Sequence, residues 1–119
     1  MNLVASTALA FVVACGGGNS DFEAFHKLDS DKAAAFAVGG KDCKAKAKSV
    51  GEWRTANTAR YNELRKKLGD AWGKEPPKEI VEKYGAEMKA NKKAVIDAMF
   101  ECSSDPDFSK MMDATKDKE

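Results

Sequence analysis

The chain has one histidine, His26, three prolines and three cysteines, and no apolar run of the roughly 20 residues that a membrane-spanning helix needs. A lone histidine with no serine–aspartate partnership around it gives a hydrolytic triad no support. There is no Cys-x-x-Cys pair, which removes a dithiol redox centre, and no Cys-x-x-Cys-His, which removes covalent haem. Gly16-Gly17-Gly18 and Gly39-Gly40 lack the strand–loop–helix setting of a phosphate-cradling loop. Asp29-Ser30-Asp31 begins like a calcium loop, but Lys32 and Ala33-Ala34-Ala35 stand where oxygen ligands and a glycine belong. Neither sign of charge prevails, with 20 Lys and Arg against 19 Asp and Glu, so a nucleic-acid partner, which calls for a basic excess, is not expected. Glu79 and Glu82 lie among lysines and read as surface charge rather than an acid–base pair. These absences together predict that the chain is not an enzyme and holds no resident cofactor.

What is abundant is helical: Ala, Lys and Glu, with no β-branched runs and no strand-like alternation. Ser20-Asp21 can cap a short helix carrying Phe22, Phe25 and Leu28. Asp29-Ser30-Asp31 is expected to interrupt it, with Ser30 capping a second short stretch through Phe36. Gly39-Gly40 stops that stretch, and Asp42 is the N-cap of the next helix. From Cys43 to Trp72 a stripe of Cys43, Ala47, Val50, Trp53, Asn57, Tyr61, Leu64, Leu68 and Trp72 advances in steps of three and four, the signature of one helix face. Gly73, Pro76 and Pro77 break it. A second long helix, about 77–102, carries Val81, Tyr84, Met88, Asn91, Val95, Met99 and Cys102, widened by Ile80 and Ile96. Asp105-Pro106 opens a last short helix with Phe108, Met111 and Met112. Gly51 and Gly85, inside the long helices, leave room for another helix to come close.

The short break makes the two long helices an antiparallel pair. Facing residues in such a pair have a constant index sum. Cys43 with Cys102, Val50 with Val95, Asn57 with Met88, Tyr61 with Tyr84 and Leu64 with Val81 all share one sum. A Cys43–Cys102 disulfide is therefore predicted to close the open end, contributing roughly 4 kcal/mol in the chain-entropy model. The Phe-bearing end segments are expected to bury their rings on the flanks of the pair. The expected fold is all-α: a small three- to four-helix bundle, residues 21–119, built on a long antiparallel hairpin stapled by a disulfide.

The N-terminal segment points elsewhere. Residues 3–14 are uncharged and apolar, and Cys15 follows them at the head of Gly16-Gly17-Gly18-Asn19-Ser20. Val12-Val13-Ala14-Cys15 resembles a bacterial lipobox, with a branched apolar residue three before the cysteine and a small one immediately before it. The resemblance covers about the first twenty residues. It implies a signal peptide over 1–14, cleavage between Ala14 and Cys15, lipid on Cys15 and a tether over 15–20. Export implies an oxidising compartment for the Cys43–Cys102 pair. Anchoring by several acyl chains is stable, since each buried methylene adds about 0.8 kcal/mol. Gly16, where aspartate often marks inner-membrane retention in that family, favours the outer membrane.

Charge is uneven along the helical part. Residues 42–72 carry eight Lys and Arg against four Asp and Glu, and residues 101–119 carry three against six. The first reading of the basic stretch is a solvated helix face. The function expected from all this is a membrane-anchored cell-envelope lipoprotein acting as a non-enzymatic interaction or structural module. Its partners would be the membrane, through the lipid on Cys15, and an unidentified envelope protein. The alternative is a small periplasmic ligand, metal or haem binder. For that role His26 with Met88, or with Met99, Met111 or Met112, is the candidate ligand set, although their helical spacing reads first as core packing. Trp72, beside Pro76 and Pro77, caps the hairpin tip or serves as an interaction residue.

Overall fold

A computed structural model describes residues 19–116 of the chain. Ala14 and Cys15, with the rest of the lipobox and Gly16-Gly17-Gly18, lie outside the described residues. Four helices follow one another: α1 (Asn19–Ala37), α2 (Cys43–Trp72), α3 (Lys78–Cys102) and α4 (Pro106–Thr115). The described residues contain no strand. The fold is a small all-α bundle.

Local chemistry sets most of the helix ends. Asp42 accepts hydrogen bonds from the backbone N–H groups of Lys44 and Ala45 at 3.2 and 3.1 Å, which satisfies two donors that the first turn of α2 leaves open. Asp105 does the same for Phe108 at 2.9 Å, and Pro106 takes the first helical position of α4. Gly39 sits at φ 82°, in the left-handed region, and a Cβ there would come within 2.9 Å of the Asp42 carbonyl oxygen. Pro77 precedes α3 rather than joining it, and its carbonyl accepts from Ile80 and Val81.

The N-terminal part differs from the expectation of two short helices. α1 runs unbroken through Asp29-Ser30-Asp31. These side chains do not turn back on their own backbone, because neighbouring helices engage two of them. Asp29 accepts from the Tyr61 hydroxyl of α2 at 3.1 Å and from Asn91 Nδ2 of α3 at 3.3 Å, and Asn91 also donates to Ser30 Oγ at 3.1 Å. A residue that would otherwise compete with the helix is thus held by tertiary partners.

α2 and α3 are joined by the 73–77 turn at one end and by the Cys43–Cys102 disulfide at the other, where the Cα atoms are 5.5 Å apart. Between those closures α1 packs against both long helices instead of lying on a flank, and α4 packs on α2. Gly51 makes the second contact possible: a Cβ there would come within 3.0 Å of Met111 Cγ. The interposed α1 changes the facing pattern. Near the disulfide the two long helices converge, and Val50 and Val95 border one apolar cluster that also takes in Phe36 of α1. Farther along, Tyr61 packs on Phe25 at 4.8 Å and Tyr84 on Phe22 at 4.9 Å, both with tilted rings, so rings of α1 stand between the two tyrosines. Leu64 is fully buried while Val81, its expected partner, is half exposed. The inward face of α3 is Ile80, Tyr84, Asn91, Val95, Ala98 and Cys102.

Two apolar clusters result. One, at the disulfide end, joins Phe36, Ala47, Val50, Ala98, Cys102 and Phe108. The other, at the hairpin tip, joins Phe22, Leu68 and Ile80, with Phe25, Trp72, Tyr84 and Met88 around it. The polar waist of Asp29, Tyr61 and Asn91 lies along the bundle between them.

Candidate functional site

The waist opens into a cleft of about 370 Å³ to which all four helices contribute. Lys32 and Phe36 come from α1, and Trp53, Arg54, Thr58, Tyr61 and Arg65 from α2. Val95 and Met99 of α3 and Met112 and Asp113 of α4 complete the wall, with Lys116 just beyond α4. Four cations face one carboxylate, Asp113, on this lining.

The cations are built in rather than scattered on the surface. Arg54 is only 3% exposed, and its Nη1 lies 2.8 Å from Met112 Sδ. Burial lowers its pKa, although a guanidinium keeps its proton under all ordinary conditions. The Lys32 ammonium sits 4.6 Å above the Tyr61 ring, and the Arg65 guanidinium lies 5.7 Å from the same ring, both within cation–π range. Burial is the main influence lowering the Lys32 pKa; Asp29 opposes it, and the positive charges of Arg65 and Arg54 add to it. Tyr61 has its own pKa raised by burial first, then by the charge of Asp29 and the hydrogen bond to it. Trp53 meets the Tyr61 ring edge-on at 5.7 Å, and its indole Nε1 is buried without a hydrogen-bond partner among the described residues. Chemically the cleft offers positive charge and apolar walls, with a buried indole N–H beside them.

Comparison with protein-family models, curated proteins and solved structures finds no match. The site is therefore read from its own geometry.

The structure brings Cys43 and Cys102 together as a disulfide and divides the other candidates between the two ends and the cleft. His26 stacks on Phe22 at 5.5 Å and pairs through Nε2 with Glu87 at 2.7 Å. Met88 borders the same tip cluster, whereas Met111 and Met112 pack against the disulfide-end cluster and Met99 lines the cleft. His26 and Met88 thus share the tip, while Met99, Met111 and Met112 lie elsewhere. Among the described residues no group of three or more His, Cys, Asp or Glu could hold a metal ion. Trp72 is half-buried, 5.6 Å from the Phe22 ring, which makes it part of the tip cluster. No helix among the described residues is long and apolar enough to cross a membrane.

Sequence reasoning missed Lys46, Arg54 and Thr58. Assigning the basic stretch of α2 to a solvated face hid them. Lys46 is 2% exposed and donates through Nζ to the carbonyls of Phe36 and Val38, capping the C-terminus of α1 with positive charge. A signal was present: Lys46, Val50, Arg54 and Thr58 follow one another at intervals of four, so the three polar residues share a row with the fully buried Val50.

A second surface lies on the outside of α3. Phe100 is 78% exposed, and Val81, Ile96 and Met99 are each exposed by two-fifths or more. At about 100° per residue these side chains cover one side of the helix, next to the inward face. Lys89, Lys92 and Lys93 are interleaved with them.

Proposed function

We propose that the protein is an exported lipoprotein, held to a bacterial membrane through lipid on Cys15, and that its helical domain works by binding rather than by catalysis. The observation that carries the binding role is the cleft: buried Arg54, half-buried Lys32 and rim residue Arg65 gathered around Trp53 and Tyr61. Lys32 and Arg65 flank the Tyr61 ring in a cleft open to solvent, an arrangement that suits a bound ligand. The lipobox residues Val12-Val13-Ala14-Cys15 support the anchored location, and the Cys43–Cys102 bond suits an oxidising compartment.

Mass spectrometry of membrane-extracted protein, intact and after proteolysis without reductant, tests the location. A chain beginning at acylated Cys15 with the Cys43 and Cys102 peptides linked is the expected result. An unprocessed chain in the soluble fraction overturns it. Native mass spectrometry of the same extract tests the binding role, and the expected result is a fraction of the protein carrying a discrete added mass that Arg65→Gln depletes.

A second reading has its own observation in the exposed Val81, Ile96, Met99 and Phe100 of α3. That face suits an envelope protein presenting an apolar strip edged by carboxylates, which would meet Lys89, Lys92 and Lys93. A photoreactive side chain at position 100, but not one at Lys66 on the outside of α2, is then expected to give a discrete adduct in intact cells.

A further inference from the structure

We infer that the outer face of α3 lies against the bilayer: Val81, Ile96, Met99 and Phe100 enter the boundary between headgroups and acyl chains, and Lys89 and Lys92 pair with anionic headgroups. This contact rests on the Cys15 anchor proposed above and adds a second, non-covalent attachment to the same membrane.

Charge on α3 is sorted by side. At about 100° per residue, Lys78, Lys89, Lys92 and Lys93 fall with the four exposed apolar side chains inside an arc of about 120°, which holds one carboxylate, Glu82. The rest of the exposed surface of α3 carries Glu79, Glu87, Asp97 and Glu101 against Lys83. Lys78 lies 4.0 Å from Glu82 and Lys93 2.6 Å from Asp97, whereas Lys89 and Lys92 have no ion-pair partner among the described residues. A basic, apolar side backed by an acidic one is the pattern of a helix lying in the interface of an anionic membrane. An envelope protein fits this face less well, because the core of a protein–protein interface is depleted of lysine. Here Lys89 and Lys92 stand inside the strip, between Val81 and Phe100, where their stems can lie on apolar surface while the ammonium groups reach phosphate.

The tether allows this pose. Contacts between α1 and α3 advance together, Phe22 with Tyr84, His26 with Glu87 and Asp29 with Asn91, so the two helices run parallel and α1 starts level with Val81. Four residue steps separate Cys15 from Asn19, a reach of at most about 14 Å. That exceeds the roughly 8–10 Å between the axes of packed helices, so the lipid on Cys15 and the face of α3 can enter one leaflet. In a domain standing upright on its tether, Phe100 would instead be about 28 Å farther from the membrane than Val81.

The test uses the full chain extracted from membranes, with its acylation read by mass spectrometry, in nanodiscs of phosphatidylcholine with or without phosphatidylglycerol. The methyl resonances of Ile96, Met99 and Ala59, the last exposed on the outside of α2, are followed while a soluble gadolinium chelate is added. On discs with phosphatidylglycerol, relaxation of the Ile96 and Met99 methyls by the chelate is expected to fall at least about fivefold relative to plain discs, and that of Ala59 to stay the same. Lys89→Gln with Lys92→Gln is expected to lower the ratio of membrane-facing to free domain about 25-fold, at roughly fivefold per lysine, with an unchanged Tm. Phe100→Ser, at a side chain 78% exposed, is expected to lower it about tenfold, again without a change in Tm. Ile96 and Met99 methyls that stay fully open to the chelate on phosphatidylglycerol discs overturn the contact, whatever the state of Cys15. Equal protection on both kinds of disc overturns the pairing of the lysines with anionic headgroups. Protection in native membranes but on neither disc overturns the contact in favour of an envelope protein. A chain without acyl groups whose two methyls are still protected overturns the anchor and leaves the contact standing.

Discussion

At the disulfide end, Phe36, Ala47, Val50, Ala98, Cys102 and Phe108 draw a core from all four helices around a covalent bond; at the hairpin tip, Phe22, Leu68 and Ile80 draw a smaller one from three helices, edged by Phe25, Trp72 and Tyr84. The first end has the cross-link and α4. The second has only the 73–77 turn and packed rings, with Phe22 lying within 6 Å of His26, Trp72 and Tyr84. Between them the helices carry Asp29, Lys32, Arg54, Thr58 and Tyr61, a set poor in apolar burial. The comparison shows how a chain of this size keeps buried charge in its middle: apolar cores at both ends hold α1 between α2 and α3, so the waist need not hold the bundle by itself.

Removing the cross-link has the largest expected effect on the difference between the two ends. Replacing Cys43 and Cys102 together with alanine frees a loop spanning 59 positions and is expected to cost roughly 4 kcal/mol in denaturant unfolding. Hydrogen exchange is expected to rise first in α4 and the last turns of α3, with the tip cluster protected longest. Uniform loss of protection would show that the two ends unfold as one unit.

Next in size is Lys46→Met at the same end. The side chain keeps its apolar stem, but the carbonyls of Phe36 and Val38 lose a charged donor. Hydrogen bonds to charged groups are worth about 1.5–3 kcal/mol, so a loss of about 2 kcal/mol is expected by chemical denaturation. An unchanged midpoint would mean that water serves those carbonyls equally well. At the tip, Ile80→Val removes one methylene from a nearly buried side chain and is expected to cost about 1 kcal/mol. Its effect on exchange is expected to stay in the first turns of α3 and the start of α1, which would separate the tip from the covalent end.

How much of this was legible depended on whether the cause was local. Asp42, Asp105-Pro106 and Gly39-Gly40 announce helix ends because caps and left-handed glycines act within a few residues. The Cys43–Cys102 pairing was legible because a short turn between two long helices brings their far ends together. α1 was misread at Asp29-Ser30-Asp31, since the partners that hold it, Tyr61 and Asn91, are 32 and 62 positions away from Asp29. The same interposed helix explains why Val81 and Met99 fell off the inward face of α3: an index sum for two helices has no place for a third. The cleft stayed hidden for a related reason. Arg54 and Lys32 look like surface charge until α4 and α3 close over them.

The waist itself gives the smallest effect at neutral pH and the most specific one at alkaline pH. Tyr61 ordinarily loses its proton near pH 10, but in the fold burial and Asp29 hold the proton on well above that. The folded state therefore binds more protons than the unfolded state once pH exceeds about 10, and stability falls as pH rises, by up to about 1.4 kcal/mol per pH unit. Lys32 acts in the opposite sense: its lowered pKa means that the cost of keeping it charged is full at neutral pH and relieved as pH climbs toward 10.5. The two effects act in successive ranges, so stability is expected to rise slightly below pH 10 and fall above it. Tyr61→Phe removes the hydrogen bond to Asp29, about 1 kcal/mol at pH 7, and with it the alkaline fall. Lys32→Met removes the rise and leaves the fall in place. Urea midpoints measured between pH 8 and 12 for the parent and both variants check this, and an alkaline fall that survives Tyr61→Phe would place its origin outside the waist.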